Sequence, residues 1–185
     1  MIGKKNVVFG FIFLTITASL GPYMVVNYET WNKTYADKQP IIGKLQQLKA
    51  NDFELDLEPL APEEIAKANT DGVLIINQLI NAETEIDFIK GGPHAHGNLE
   101  AVLNIIVGIV LCFLGCSTKI KQAISWMFIV GTLMHSGLLI FERVFQMPWA
   151  STLLNTGIGP VLILLGLLLT GVMAALSLRG EIVRD

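Results

Sequence analysis

Apolar residues gather into four long runs along this chain: Val7–Val26, about Gly97–Leu114, Ala123–Phe141 and Leu153–Leu176. Each approaches the ~20 residues that a helix needs to cross a hydrocarbon core of ~30 Å. The pattern predicts an all-α membrane protein, a bundle of four transmembrane helices. Between the first two runs lies a long polar segment with periodicities of its own. Pro62-Glu63-Glu64 suits a helix start, with proline in the first turn and acids at the positive end of the dipole. Ile65, Ala68, Val73, Ile76, Leu79 and Ile80 then recur near helical spacing despite Gly72. Pro40 to Lys49, with Ile41, Ile42, Leu45 and Leu48, predicts another short helix. Phe53, Leu55 and Leu57 alternate with Glu54, Asp56 and Glu58 in a strand-like pattern. The insertion is expected to be mainly helical, with Gly91-Gly92-Pro93 breaking the chain before the second span.

The expected organisation is residues 1–27 as the first span, 28–93 as an acidic insertion and 94–117 as the second span. Residues 118–143 follow as a loop and the third span, and 144–185 as a loop, the fourth span and a tail. Gly21-Pro22 is expected to weaken or kink the first helix near its end.

Composition agrees with the runs. Apolar residues make up 52% of the chain and charged ones 16%, where a soluble domain carries about a quarter charged. The net charge of −3 offers no basic face for nucleic acid. Residues 28–93 hold twelve acidic and six basic side chains, a net of −6; the rest hold four acidic and seven basic, a net of +3. Lys4 and Lys5, Lys119 and Lys121, and Arg179 and Arg184 fall on one side of a four-pass chain. The positive-inside rule makes that side cytoplasmic. Both termini are then cytoplasmic, residues 28–93 are extracytoplasmic, and the chain is a multi-pass protein of the cytoplasmic membrane. The first span reads as an uncleaved signal anchor; a signal peptide cut near Thr17-Ala18-Ser19 would leave the other spans oriented alike. An insertion of ~65 residues is marginal as an independent domain, so it is expected to lean on helix ends or on a partner.

Cys112 and Cys116, one turn apart in an apolar segment, exclude a disulfide framework and read as small packing residues. Gly166, Thr170 and Ala174 form a small-residue ridge on the fourth span. It serves packing within the bundle or contact with another copy or a membrane-complex partner, and the sequence does not choose.

The polar groups inside the apolar runs carry the functional signal, because such groups are expensive in a bilayer. His96, Glu100 and Asn104 stand four residues apart and share one helical face. Counting ~1.5 Å per residue from Ser117 and from Gln122 puts Asn104 ~20 Å up the second span, level with His135 on the third. Glu100 comes out about one turn higher, and His96 level with Glu142, beside Arg143. Two rungs are expected. One holds His94, His96, Glu142 and Arg143 with Glu100 just beneath, with Arg143 neutralising Glu100 and Glu142 holding His96. The other holds Asn104 and His135, with Thr132 and Ser136 near. Each rung reads either as a staple between helices or as a ligand, substrate or proton site. On this count His96 and His135 differ by ~12 Å in depth, which disfavours one haem held by both within a subunit. His94 with His96 would make only half of a surface metal site.

His94-Ala95-His96-Gly97-Asn98-Leu99 resembles the His-Ala-His-x-Asn-Leu motif that opens a helix in small membrane proteins akin to haem–copper oxidase subunit I. The four-span size, with a histidine at the start of the second span, is also similar to the styrene oxide isomerase family. The resemblance implies b-type haem, with the iron held by His96, for redox or Lewis-acid chemistry. Where the motif continues Leu-Gly-Trp this chain has Glu100-Ala101-Val102, and its insertion is longer. Three histidines do not make an oxidase's full haem and copper ligand set.

Two functions follow as expectations. In the first, His96, Glu100, Asn104 and His135 line a pocket toward the outer side, with haem on His96. Glu100 and Asn104 orient groups there, and His135 is a second ligand across a subunit boundary or a proton-transfer group. In the second, the chain is a non-enzymatic accessory or assembly subunit whose polar rungs only lock helices. A proton path is less favoured, since the second and third spans supply one acid well inside the bilayer.

Overall fold

The computed structural model describes residues 1–55 and 58–183. Its elements are α1 (Gly3–Ala18), α2 (Leu20–Ala50), β1 (Glu54–Leu55), β2 (Glu58–Pro59), α3 (Pro62–Ile89), α4 (Ala95–Leu111), α5 (Thr118–Thr132), α6 (Leu138–Arg143), α7 (Pro148–Leu154) and α8 (Ile158–Ser177). π-helical turns at Lys90–His94 and Leu133–Gly137 join α3 to α4 and α5 to α6. Four helical stretches are long and apolar enough to cross a membrane: Gly3–Ala50, Pro62–Leu111, Thr118–Arg143 and Ile158–Ser177.

The chain divides into two compact units, Met1–Pro22 with Phe88–Asp185, and Tyr23–Asp87. In the second, α3 starts at Pro62 as its sequence predicts, and Gly72 admits the Leu45 side chain of α2 against the α3 backbone. The helix expected at Pro40–Lys49 is the end of a much longer α2, with Pro40 inside it. The strand-like stretch closes into a minimal antiparallel pair, Glu54 opposite Pro59 and Leu55 opposite Glu58. Leu57 and Asp56 lie outside the described residues, as does Arg184.

Within the first unit, α1 packs on α4 and α5 on α8, each pair drawn together by glycines. A Cβ at Gly108 would stand 2.7 Å from the Gly3 carbonyl oxygen and 2.8 Å from Val7 Cγ2. Across the other pair, a Cβ at Gly131 would stand 2.7 Å from Ile163 Cγ1, and one at Gly166 2.8 Å from Phe128 Cε2. Gly166 and Ala174 thus serve packing inside the chain, and the Thr170 hydroxyl turns back onto the Gly166 carbonyl at 2.6 Å. Val107, Leu111, Leu114, Ile124, Phe128 and Ile163 form the core these contacts enclose. Cys112 and Cys116 are free thiols at its margin.

These approaches set a prediction. Gly108→Val should lower the melting temperature in detergent, by the equivalent of about 1–3 kcal/mol for overpacking. Gly171→Ala, at a position with nothing within 4 Å, should not. Equal melting of the two variants would contradict the close α1–α4 approach.

Candidate functional site

The α4 stripe is where the sequence places it. Gly97, Glu100, Ala101, Asn104, Val107, Gly108 and Leu111 are its buried face. Burying a carboxylate and an amide this way demands partners, and the structure supplies all of them: among the described residues no buried side-chain N or O lacks a hydrogen bond.

Asn104, 0% exposed, belongs to a layer of neutral polar groups. Its Nδ2 donates to the Glu100 carbonyl at 3.0 Å and to Thr132 Oγ1 at 2.9 Å. Its Oδ1 accepts from Asn6 Nδ2 at 3.1 Å. Asn6 also donates to the Ser125 carbonyl, and the Ser125 hydroxyl donates to Asn6 Oδ1. Asn104 therefore bonds to Asn6 and Thr132, with Ser125 reached through Asn6, and not to His135, which corrects the expected lower rung.

Glu100, 5% exposed, sits above that layer and holds both of its oxygens in use. Oε2 accepts from Ser136 Oγ at 2.6 Å, and Oε1 lies 2.5 Å from His135 Nδ1. The His135 ring then meets the His96 ring edge to face, centroids 5.1 Å apart at 62°. The expected ~12 Å separation of the two histidines is overturned: they are neighbours. The cause is register. Helix α4 ends at Leu111 and α5 begins at Thr118, so the connector is 112–117 and not the stretch from Ser117 to Gln122. His135 meets Glu100, four residues before Asn104 on α4, a difference from the expected pairing of about one helical turn, roughly 5.4 Å along the axis.

That shift also dissolves the expected upper rung. Arg143 Nε pairs with Glu142 Oε2 at 3.2 Å, and the guanidinium lies 4.4 Å over the Phe88 ring. Neither Arg143 with Glu100 nor Glu142 with His96 forms a pair. His94 faces α1, its Nδ1 3.0 Å from the Thr17 carbonyl and 3.5 Å from Asn98 Nδ2. It ties α4 to α1 and stands apart from His96.

Three donors remain together. One ligand atom each from His96, Glu100 and His135 lies within 4.8 Å of the others. Donors around a tetrahedral ion at about 2.0–2.2 Å sit roughly 3.3 Å apart, so side-chain shifts of about an ångström would close the set on one ion. Ser136 fixes one Glu100 oxygen and leaves the other facing the histidines, as supporting hydrogen bonds do at metal sites. His96 is exposed and, among the described residues, has no hydrogen bond; its ring packs against that of His135. Both π-turns lie beside this cluster, one containing His135 and the other ending two residues before His96. Such turns often mark functional sites.

A haem held by both histidines does not fit, because rings already in contact leave no room for a macrocycle between them. A haem on His96 alone fits better: that imidazole is exposed and unbonded, and Glu100 and His135 stand behind it. Sequence reasoning named His96, Glu100, Asn104 and His135 but missed Asn6, Ser125, Thr17 and Asn98. Asn6 stands one residue before an apolar run, and that was the available signal. The chain matches no family model, no curated protein and no solved structure, so the resemblance at His94–Leu99 rests on those residues alone.

Proposed function

We propose that the chain is a metal-binding integral protein of the cytoplasmic membrane, with His96, Glu100 and His135 as its metal donors. Four helices cross as a bundle, the termini are cytoplasmic, and residues 28–93 lie outside. The clusters of basic residues at one set of span ends support this orientation. One observation carries the metal assignment: two imidazoles and a carboxylate bring donor atoms within 4.8 Å of one another. Two histidines and one carboxylate with positions left open suit zinc or ferrous iron. A metal there supplies Lewis-acid or redox chemistry to a molecule bound at the open positions. Glu100, itself held by Ser136, sets the orientation of His135, and the neutral Asn104 layer holds Glu100's helix against α1 and α5.

The exposed, unbonded His96 favours a second reading, b-type haem with iron on His96 alone. One preparation separates the two. Protein purified in detergent from haem-replete, metal-replete cells should carry stoichiometric metal, no Soret band, and lose the metal in His135→Ala. A Soret band lost in His96→Ala but kept in His135→Ala would favour haem. Absence of both metal and Soret band would sink both readings and leave an accessory subunit whose polar groups only lock helices.

A further inference from the structure

We infer that the metal centre opens sideways, between α4 and α5–α6, toward the bilayer, and takes an amphiphile: an oxygen-donor head on the metal with an alkyl chain along α4. This rests on the metal centre proposed above.

The first observation is the face on which His96 stands. His96, Leu99, Val102, Ile106 and Ile109 are all exposed and follow one another at three- or four-residue spacing. Leu99, Val102, Ile106 and Ile109 lie opposite the buried face that carries Glu100 and Asn104, and His96, one turn before Glu100, stands at the edge between that face and the apolar stripe. Below His96 that stripe is wholly apolar, with Leu99 58% and Ile106 50% exposed. In a membrane-spanning helix such a stripe faces lipid. The one donor without a hydrogen bond thus sits at the top of a lipid-facing alkyl surface.

The second observation is what packs at the start of α4, next to the site. The chain kinks at Gly92, where φ is −90° and ψ −108°. Gly92 approaches the Leu139 side chain there, and a Cβ on it would stand 4.0 Å from Leu139 Cδ2. The Arg143 guanidinium lies over the Phe88 ring and pairs with Glu142. The Lys90–His94 turn and α6 therefore pack on each other at this end of the site, while Leu99, one turn after His96, is exposed. An amphiphile partitions into the bilayer first and reaches the metal head-first from the side, its chain lying on Leu99 and Val102.

The test compares two probes with the same metal-binding head, acetohydroxamate and octanohydroxamate, on the cobalt-loaded protein in one detergent, read by the cobalt d–d absorption. The longer chain should bind at least about tenfold more tightly, since each buried methylene adds to affinity. Leu99→Gln should remove most of that advantage, whereas Leu99→Met should keep it. Because Leu99 is exposed, neither substitution disturbs packing, and partition into the micelle is common to all three proteins. Equal affinities for the two probes, or an advantage untouched by Leu99→Gln, would overturn the lateral site while the metal centre stands. A protein that gives no cobalt spectrum would overturn the metal centre and this inference together.

Discussion

Glu100→Ala is expected to abolish metal binding and to destabilise the protein more than any other single side-chain truncation at the site. The carboxylate is 5% exposed and engages Ser136 at 2.6 Å and His135 at 2.5 Å. Its removal leaves a buried hydroxyl and an imidazole without their partner. Each buried group left unpaired costs about 1–3 kcal/mol. The His135 side chain is 20% exposed, so its share falls at the low end of that range. Glu100→Gln keeps the volume and offers an oxygen to Ser136, so its melting temperature should lie between those of Glu100→Ala and the parent. Metal affinity should fall by more than about a hundredfold in both, a loss beyond the 10–100-fold typical of removing an outer-shell partner. Isothermal titration with zinc, beside thermal melts in the same detergent, separates the two effects. Zinc affinity unchanged in either variant would show that Glu100 is a structural acid only.

Asn104→Leu gives the opposite signature. It removes three hydrogen bonds, to Asn6, Thr132 and the Glu100 carbonyl. Hydrogen bonds between membrane helices average about 0.6 kcal/mol, so the two that run to Asn6 and Thr132 are together worth roughly 1.2 kcal/mol, and the melting temperature should drop. Zinc affinity should change little, because Asn104 supplies no donor to the His96 cluster and Glu100 keeps its contacts with Ser136 and His135. The sequence alone puts Asn104 in the pocket; the structure makes it a fastener between α4, α1 and α5. Loss of metal with unchanged melting would return Asn104 to the site.

Much of this arrangement is legible in the residues, and the failures have particular causes. Apolar runs of ~20 residues announce the spans, and Pro62-Glu63-Glu64 marks the start of α3 because capping and dipole preferences are local. The length of α2 is hidden. Between Tyr28 and Asp37 its sequence is polar and lacks an apolar stripe, and its regularity shows instead as Trp31 packed between Tyr28 and Tyr35. The stripe of His96, Glu100 and Asn104 is legible too, since four-residue spacing defines a helix face whatever the tertiary context. What that face meets is not. Pairing across two helices depends on where the connector sits, and the apolar residues of 112–117 look like a continued helix. One turn of error moved His135 from Glu100 to Asn104. Helix α1 escaped notice as a source of partners because Asn6 and Thr17 are isolated polar residues in or beside an apolar run. Only the packing of α1 on α4 brings Asn6 to Asn104, and Thr17 within 2.8 Å of Asn98.

X-ray absorption fine structure at the edge of the bound metal is the most direct test of the centre. Two imidazole nitrogens and one carboxylate oxygen at about 2.0–2.2 Å, with the imidazole scattering reduced in both His96→Ala and His135→Ala, is the expected shell. A shell of solvent oxygens alone, or one dominated by porphyrin nitrogens, would contradict a metal held by His96, Glu100 and His135.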